Sequence, residues 1–488
     1  MTAAVLLWIP VALPILGALL LPLFRSGSQQ GRNVFIMAVT LVNSLFMGLL
    51  LLLVPEGAHR LIHFTGSLDF AVRLDGLGRI FAGLIAVLWP LVTLYAFPYM
   101  EKDTGSTRFF AFFTATFGIA LGVALSANLL TMYCFFEMLS LITVPLVMHD
   151  YSKKAVHAAR KYLYFMLGGT AFAFIGLIFV IVYGESCYFT PGGVFDALTA
   201  AEHGRMLLVV YLFTFFGIGA KAAVFPLHSW LPDASVAPTP VTALLHAVAV
   251  VNAGVFAITR VTYMSFGIAL LSGTWVQTVV WYTVLFTIFY GSSLAVKEMN
   301  LKRRLAYSTV ANLSYMLLGV VMMTPEGLHA GMLHMVFHGV MKITLFCCAG
   351  AILVRAKKAN IAEMDGLAHA MPVTFACFTA GSLSLVGVPP FSGFISKWAL
   401  IRAAFSSQTG WMAALSLTIL LVSALLTAIY TLRFVIHAYT LPGTAEGRLD
   451  GNAAMTAPLV ITAAASLILG MAAQPVIRLL TALTAGLS

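Results

Sequence analysis

Residues 215–240, FFGIGAKAAVFPLHSWLPDASVAPTP, place Lys221 in an apolar run and follow it with Pro226, Pro232, Pro238 and Pro240. A proline inside a helix removes a backbone donor and frees the carbonyl four residues back. The surrounding chain is nearly bare of charge: of its 488 residues, 61% are hydrophobic and 9% are Asp, Glu, Lys or Arg. A soluble domain carries roughly 25% charged residues. So much apolar surface does not fit inside one globular core, which excludes a soluble enzyme, a secreted disulfide scaffold, a disordered chain and a nucleic-acid binder. An all-α polytopic membrane protein remains. In hydrocarbon, broken backbone survives only where protein buries it or where it lines a wet cavity.

Each crossing needs about 20 mostly apolar residues. That rule gives fourteen candidate spans, at about 3–24, 33–54, 77–98, 108–125, 127–149, 157–183, 205–230, 239–262, 275–296, 303–323, 327–354, 369–404, 411–439 and 454–475. Of the 27 Lys and Arg residues, seventeen fall in loops on one side, beginning with Arg25 and Arg32 and including Lys302; seven, Arg260 among them, fall on the other. The positive-inside rule then puts both termini outside a prokaryotic plasma or inner membrane. No basic residue precedes the apolar run in MTAAVLLWIP, so a cleaved leader is not expected. The five cysteines contain no CxxC pair and are expected to pack as small hydrophobes.

Three lysines, Lys221, Lys342 and Lys397, and one acid, Glu137 in TMYCFFEMLSLITVP, remain at membrane depth, with His246, His334 and His338. A charge at the bilayer centre costs about 2.5–3.5 kcal/mol on insertion scales. Lys, Glu and His can each gain and lose a proton, so an ion or proton path accounts for the cost. Structural ion pairs or snorkelling lysines are the alternative. If Glu137 meets Lys221 across helices, each favours the charged form of the other.

Residues 384–400, SLVGVPPFSGFISKWAL, repeat the setting: Pro389, Pro390 and Gly393 precede Lys397. Paired broken helices mark inverted-repeat transporters. The breaks fall in spans seven and twelve, and that odd spacing predicts two inverted five-helix units. The expected units are peripheral helices 1–3 over 1–107, a first repeat over 108–262, a second over 263–440 and helix 14 over 441–488. In GMLHMVFHGVMKITLF, His334, His338 and Lys342 stand at i, i+4 and i+8, a one-faced stripe about 12 Å long. The pair HMVFH lacks the HExxH glutamate, and no acid or cysteine is placed to complete a metal site.

With these motifs in hand, the chain resembles the antiporter-like membrane subunits of respiratory complex I, Mrp-type cation/proton antiporters and membrane-bound [NiFe] hydrogenase or formate hydrogenlyase complexes. The resemblance rests on FFEMLSL, GAKAAVFPLHSWLPDA, PTPVTALLHA, LKRRLAYSTVANLSYM and GVPPFSGFISKW, in the family's order and spacing. It implies that Glu137 and Lys221 are the helix-5 and helix-7 pair, His246 the helix-8 link, His334 and His338 the helix-11 link, and Lys397 the exit-side lysine of broken helix 12. Lys342 is included for its position on the stripe. Many relatives carry a helix-8 lysine where this chain has Asn252, so His246 must carry that step or the relay is weaker. The chain also ends soon after its last span, and a long lateral helix is not expected.

The implied function is proton translocation, or Na⁺/H⁺ exchange, through a Glu/Lys/His relay inside a complex of other membrane subunits in the lipid bilayer. No GxGxxG, cysteine cluster or CxxCH is present, so the chain is expected to hold no redox centre, cofactor or metal. Energy comes from a redox-driven arm or, in an Mrp-type assembly, from a counter-ion gradient. A non-pumping scaffold, including one for inorganic-carbon uptake, and a stand-alone solute carrier are the rival readings.

Overall fold

The computed structural model describes residues 3–24, 28–65, 68–407, 410–443 and 447–486; Arg25 lies outside them. Twelve helices among the described residues are long and apolar enough to cross a membrane. The other two expected segments are helical as well. Leu301–Val321 opens on the charged LKRR, and the twelfth segment is split into Pro372–Val386 and Ser392–Ser407. The protein is an integral, multi-pass membrane protein.

Burial sorts these helices into layers. Thr239–Phe266 is wholly buried over its most apolar window and Pro325–Ala356 is 89% buried, whereas Trp411–Thr440 is 28% buried. The Pro325–Ala356 helix packs against Thr239–Ala247, Leu301–Val321, Ser392–Ser407 and Gly76–Tyr99, and so forms the hub of the array. Leu45, Leu52, Tyr164 and Leu425 expose apolar side chains on the outer helices, as a lipid-facing surface does.

Both expected breaks are present, with different local geometry. The Ala197–Lys221 helix ends on Lys221 itself, and residues 222–229 are non-helical. At the second break Gly387 ends the first half at φ +92°, and Lys397 lies inside the second half. The two halves cross so closely that a Cβ on Gly393 would sit 1.8 Å from the Ser384 carbonyl oxygen. Only glycine permits that approach.

Three features depart from the sequence reading. The connection at 55–76 contains a β-hairpin, β1 (Ala58–Thr65) paired antiparallel with β2 (Leu68–Arg73). A separate helix, Gln474–Thr484, follows the last long one and packs on Gly76–Tyr99. Arg260, counted on the side with fewer basic residues, is fully buried at the end of the Val250–Arg260 helix, which passes into a π-helical turn, Val261–Phe266. It pairs with Asp75, 185 residues away in sequence, a partner that charge counting does not reveal.

Candidate functional site

The two most buried helices bring the expected titratable groups together. The regular turns of Pro325–Ala356, capped by Thr324 at the Gly327 N–H, hold His334, His338 and Lys342 on one stripe, all with 0% exposure. The His334 and His338 rings stand 6.2 Å apart between centroids. His334 Nδ1 is 2.9 Å from Ser396 Oγ and Nε2 is 3.2 Å from Asn312 Oδ1. Ser396 adjoins Lys397, whose ammonium donates to the Leu385 carbonyl at 2.7 Å and the Val386 carbonyl at 3.0 Å. These are the last carbonyls before the break, freed because no helical turn follows them. The stripe therefore runs into the broken helix and ends on Lys397, 5.2 Å from the Tyr315 ring centre.

At the other end, Lys342 donates to the Leu305 carbonyl at 3.1 Å and to Ser308 Oγ. Phe346, one turn beyond it, stacks on His246 at 4.7 Å. Both ring nitrogens of His246 and of His338 are buried with no protein partner. Asn252 donates to the Ala247 carbonyl at 2.7 Å, so it caps a helix irregularity on the same segment, and its Oδ1 is unpartnered. An unmatched buried polar group costs about 1–3 kcal/mol unless water satisfies it. Several such groups sit here on adjoining turns of the two innermost helices.

Glu137 and Lys221 do not form the direct ion pair that the sequence suggested. The Lys221 ammonium donates instead to the Phe136 carbonyl and lies 3.4 Å from the centre of the Phe136 ring. Glu137, the next residue, turns to the half-buried side of its helix, where Oε1 has no partner, beside exposed Met138 and Leu141. Pro226, Pro389 and Pro390 lie in the two breaks, as expected. The described residues contain no cluster of His, Cys, Asp and Glu able to hold a metal.

The sequence reading missed the groups that hold these buried titratable residues: Ser308, Asn312 and Tyr315 on one helix and Ser396 on another. Their spacing in LAYSTVANLSYM, one polar group per turn in an apolar helix, was the available signal.

A second polar cluster joins the first break to the start of the Leu301–Val321 helix. Asp233 is 2.7 Å from Lys161 Nζ and 2.7 Å from Arg303 Nη1, and Arg303 Nε is 3.0 Å from Glu298. Burial pushes the Asp233 carboxyl up, but the bonds from Lys161 and Arg303 outweigh it and hold the group below the usual carboxylate range. A carboxyl depressed by folding adds stability above its unfolded pKa of about 3.9, and that stability is lost as pH falls through the folded value. Asp233→Asn should therefore cost about 1 kcal/mol at pH 7. The gap in melting temperature between variant and parent should close below about pH 4. A gap that stayed constant from acid to neutral pH would contradict the assignment.

Comparison with known proteins bears on this arrangement. The family described as "NADH:quinone oxidoreductase/Mrp antiporter, TM" matches residues 126–423, which contain Glu137, Lys221, His246, His334, His338, Lys342 and Lys397. The chain belongs to that family. A second pattern, "NADH-Ubiquinone oxidoreductase (complex I), chain 5 N-terminus", matches residues 62–110. The Na(+)/H(+) antiporter subunit A1 of Staphylococcus aureus is 30% identical over 461 residues, covering 89% of this chain and 56% of the relative. The chain thus spans about half the length of the curated relatives it matches. Two solved complexes share the fold at 22% identity. One is the Mrp complex of Dietzia sp. DQ12-45-1b, with TM-score 0.87 over 100% of this chain and 98% of that one. The other is an archaeal membrane-bound sulfane sulfur reductase, with TM-score 0.86 over 98% and 97%.

Proposed function

We propose that this chain is a proton-conducting subunit of a multisubunit membrane assembly of the Na⁺/H⁺ antiporter type. It moves protons along the membrane plane through Glu137, Lys221, His246, Lys342, His338, His334 and Lys397. The observation that carries this reading is the run of buried, titratable and partly unpartnered groups along the two innermost helices, ending on Lys397 at a broken helix. Structural ion pairing accounts poorly for that run, because the axis contains three lysines and three histidines and only one acid. Unpartnered imidazoles call for water, and water is what a proton relay needs between groups spaced beyond hydrogen-bond reach. The relay uses no cofactor on this chain. The proposed topology is fourteen crossings in two inverted five-helix units, with both termini outside. The antiporter relative favours a counter-ion gradient as the energy source. The family pattern, which also spans NADH:quinone oxidoreductases, keeps a redox-driven assembly as the second reading.

The test is Lys342→Ala in the assembled complex, reconstituted in proteoliposomes and read as Na⁺-driven collapse of a pH gradient. A rate at least about tenfold lower is expected, equivalent to about 1.4 kcal/mol of barrier. An unchanged rate would overturn the relay.

A further inference from the structure

Lys302 was counted among the basic loop residues, but it behaves as neither a loop residue nor an ion-pair partner. Its ammonium donates to the Ala237 carbonyl at 2.8 Å, and among the described residues no carboxylate lies within ion-pair distance of it. On one side it lines a cavity of about 170 Å³ together with Lys154, Asp233, Ser235, Val236 and Asn300. Lys154 is exposed, which places the mouth of this cavity on the face that bears the basic loops. On the other side, the carbonyl that Lys302 holds also accepts the Thr242 hydroxyl at 3.1 Å. Thr242 and His246 are one turn apart on the Thr239–Ala247 helix, and both are fully buried. The two ring nitrogens of His246 have no protein partner.

We propose that Lys302 is the inlet of the relay: it takes protons from the cavity facing the basic loops and passes them past Thr242 to His246. The proton leaves the Lys302 ammonium, a ring nitrogen of His246 accepts it, and cavity water reloads the lysine. Asp233 and Arg303 form part of the wall of the inlet, and their ion pair fixes the start of the Leu301–Val321 helix against the first break. This inference rests on the relay proposed above.

Lysine and arginine distinguish proton passage from mere charge, because arginine keeps a cation and donors but does not release its proton. In the reconstituted complex, Lys302→Met and Lys302→Arg are both expected to slow proton movement at least tenfold. Parent rate in Lys302→Arg alone would show a positioning charge and overturn the inlet. Parent rates in both variants, with Lys342→Ala still inactive, would overturn the inlet and leave the relay standing. If Lys342→Ala also ran at the parent rate, relay and inlet would fall together. Should Lys302→Met fail to assemble on a native gel, Lys302→Arg carries the test. Independently, Val236→Cys should react with a membrane-impermeant thiol reagent added from the basic-loop side, above the background of the parent cysteines. No labelling from that side would overturn the water-filled inlet.

Discussion

Lys221→Ala is expected to abolish ion movement by the assembled complex, with a loss of about 100-fold or more, the range in which positioned acid–base groups act. Lys221 is 1% exposed and closes the helix before the first break. Its ammonium is held by a backbone carbonyl and an aromatic face, neither of which neutralises it, while the nearby carboxylate of Glu137 points elsewhere. A lysine so placed is buried with its charge met by no direct ion pair. Alanine removes the carrier. Arginine keeps the cation and its donors without the ability to deprotonate, so Lys221→Arg should be as inactive as Lys221→Ala if protons pass through this position. Glu137→Gln should reduce the rate by less, because it removes the partner and leaves the carrier. Initial rates in proteoliposomes, normalised to assembled complex on a native gel, measure all three. A rate in Lys221→Arg equal to the parent would show that only a charge is needed here.

What could be seen beforehand follows from the physics of each signal. The stripe of His334, His338 and Lys342 was legible because helical periodicity puts i, i+4 and i+8 on one face whatever surrounds them. Lys221 and Lys397 were legible because charge and proline are both rare in apolar helices. The partners were not, since Asn312 and Ser396 lie 22 and 62 residues from the histidine they touch, and no local pattern encodes that distance. Lys302 was hidden by its neighbours: three basic residues in a row look like an inside loop, and only packing shows that Arg304 is buried and that Lys302 reaches the Ala237 carbonyl. The strands at 58–65 and 68–73 are short and do not alternate cleanly between apolar and polar residues, a weak signal beside twenty-residue spans.

Arg260 was the other hidden group, and it sets the largest stability effect. Its guanidinium is 0% exposed and grips Asp75 with both ends, Nη1 to Oδ2 at 2.8 Å and Nη2 to Oδ1 at 2.9 Å, between the rings of Phe189 and Phe256 at 4.8 Å each. Asp75 also accepts from Arg73 and caps the Gly76–Tyr99 helix at the Gly78 N–H. One carboxylate thus ties the hairpin, that helix and the innermost Val250–Arg260 helix together just before the π-helical turn. Two opposing effects fix the sign of a substitution. Desolvating the pair is costly, so a neutral replacement of both partners need not destabilise; removing Arg260 leaves the buried carboxylate with only the partly exposed Arg73 and costs up to about 3–5 kcal/mol. Arg260→Leu should therefore lower the melting temperature of the detergent-solubilised complex sharply. Adding Asp75→Asn, which keeps a capping oxygen but carries no charge, should recover more than half of that loss. If the double variant melted no higher than Arg260→Leu alone, the stranded carboxylate would not be the cause, and lost packing of the guanidinium between the two phenylalanines would be.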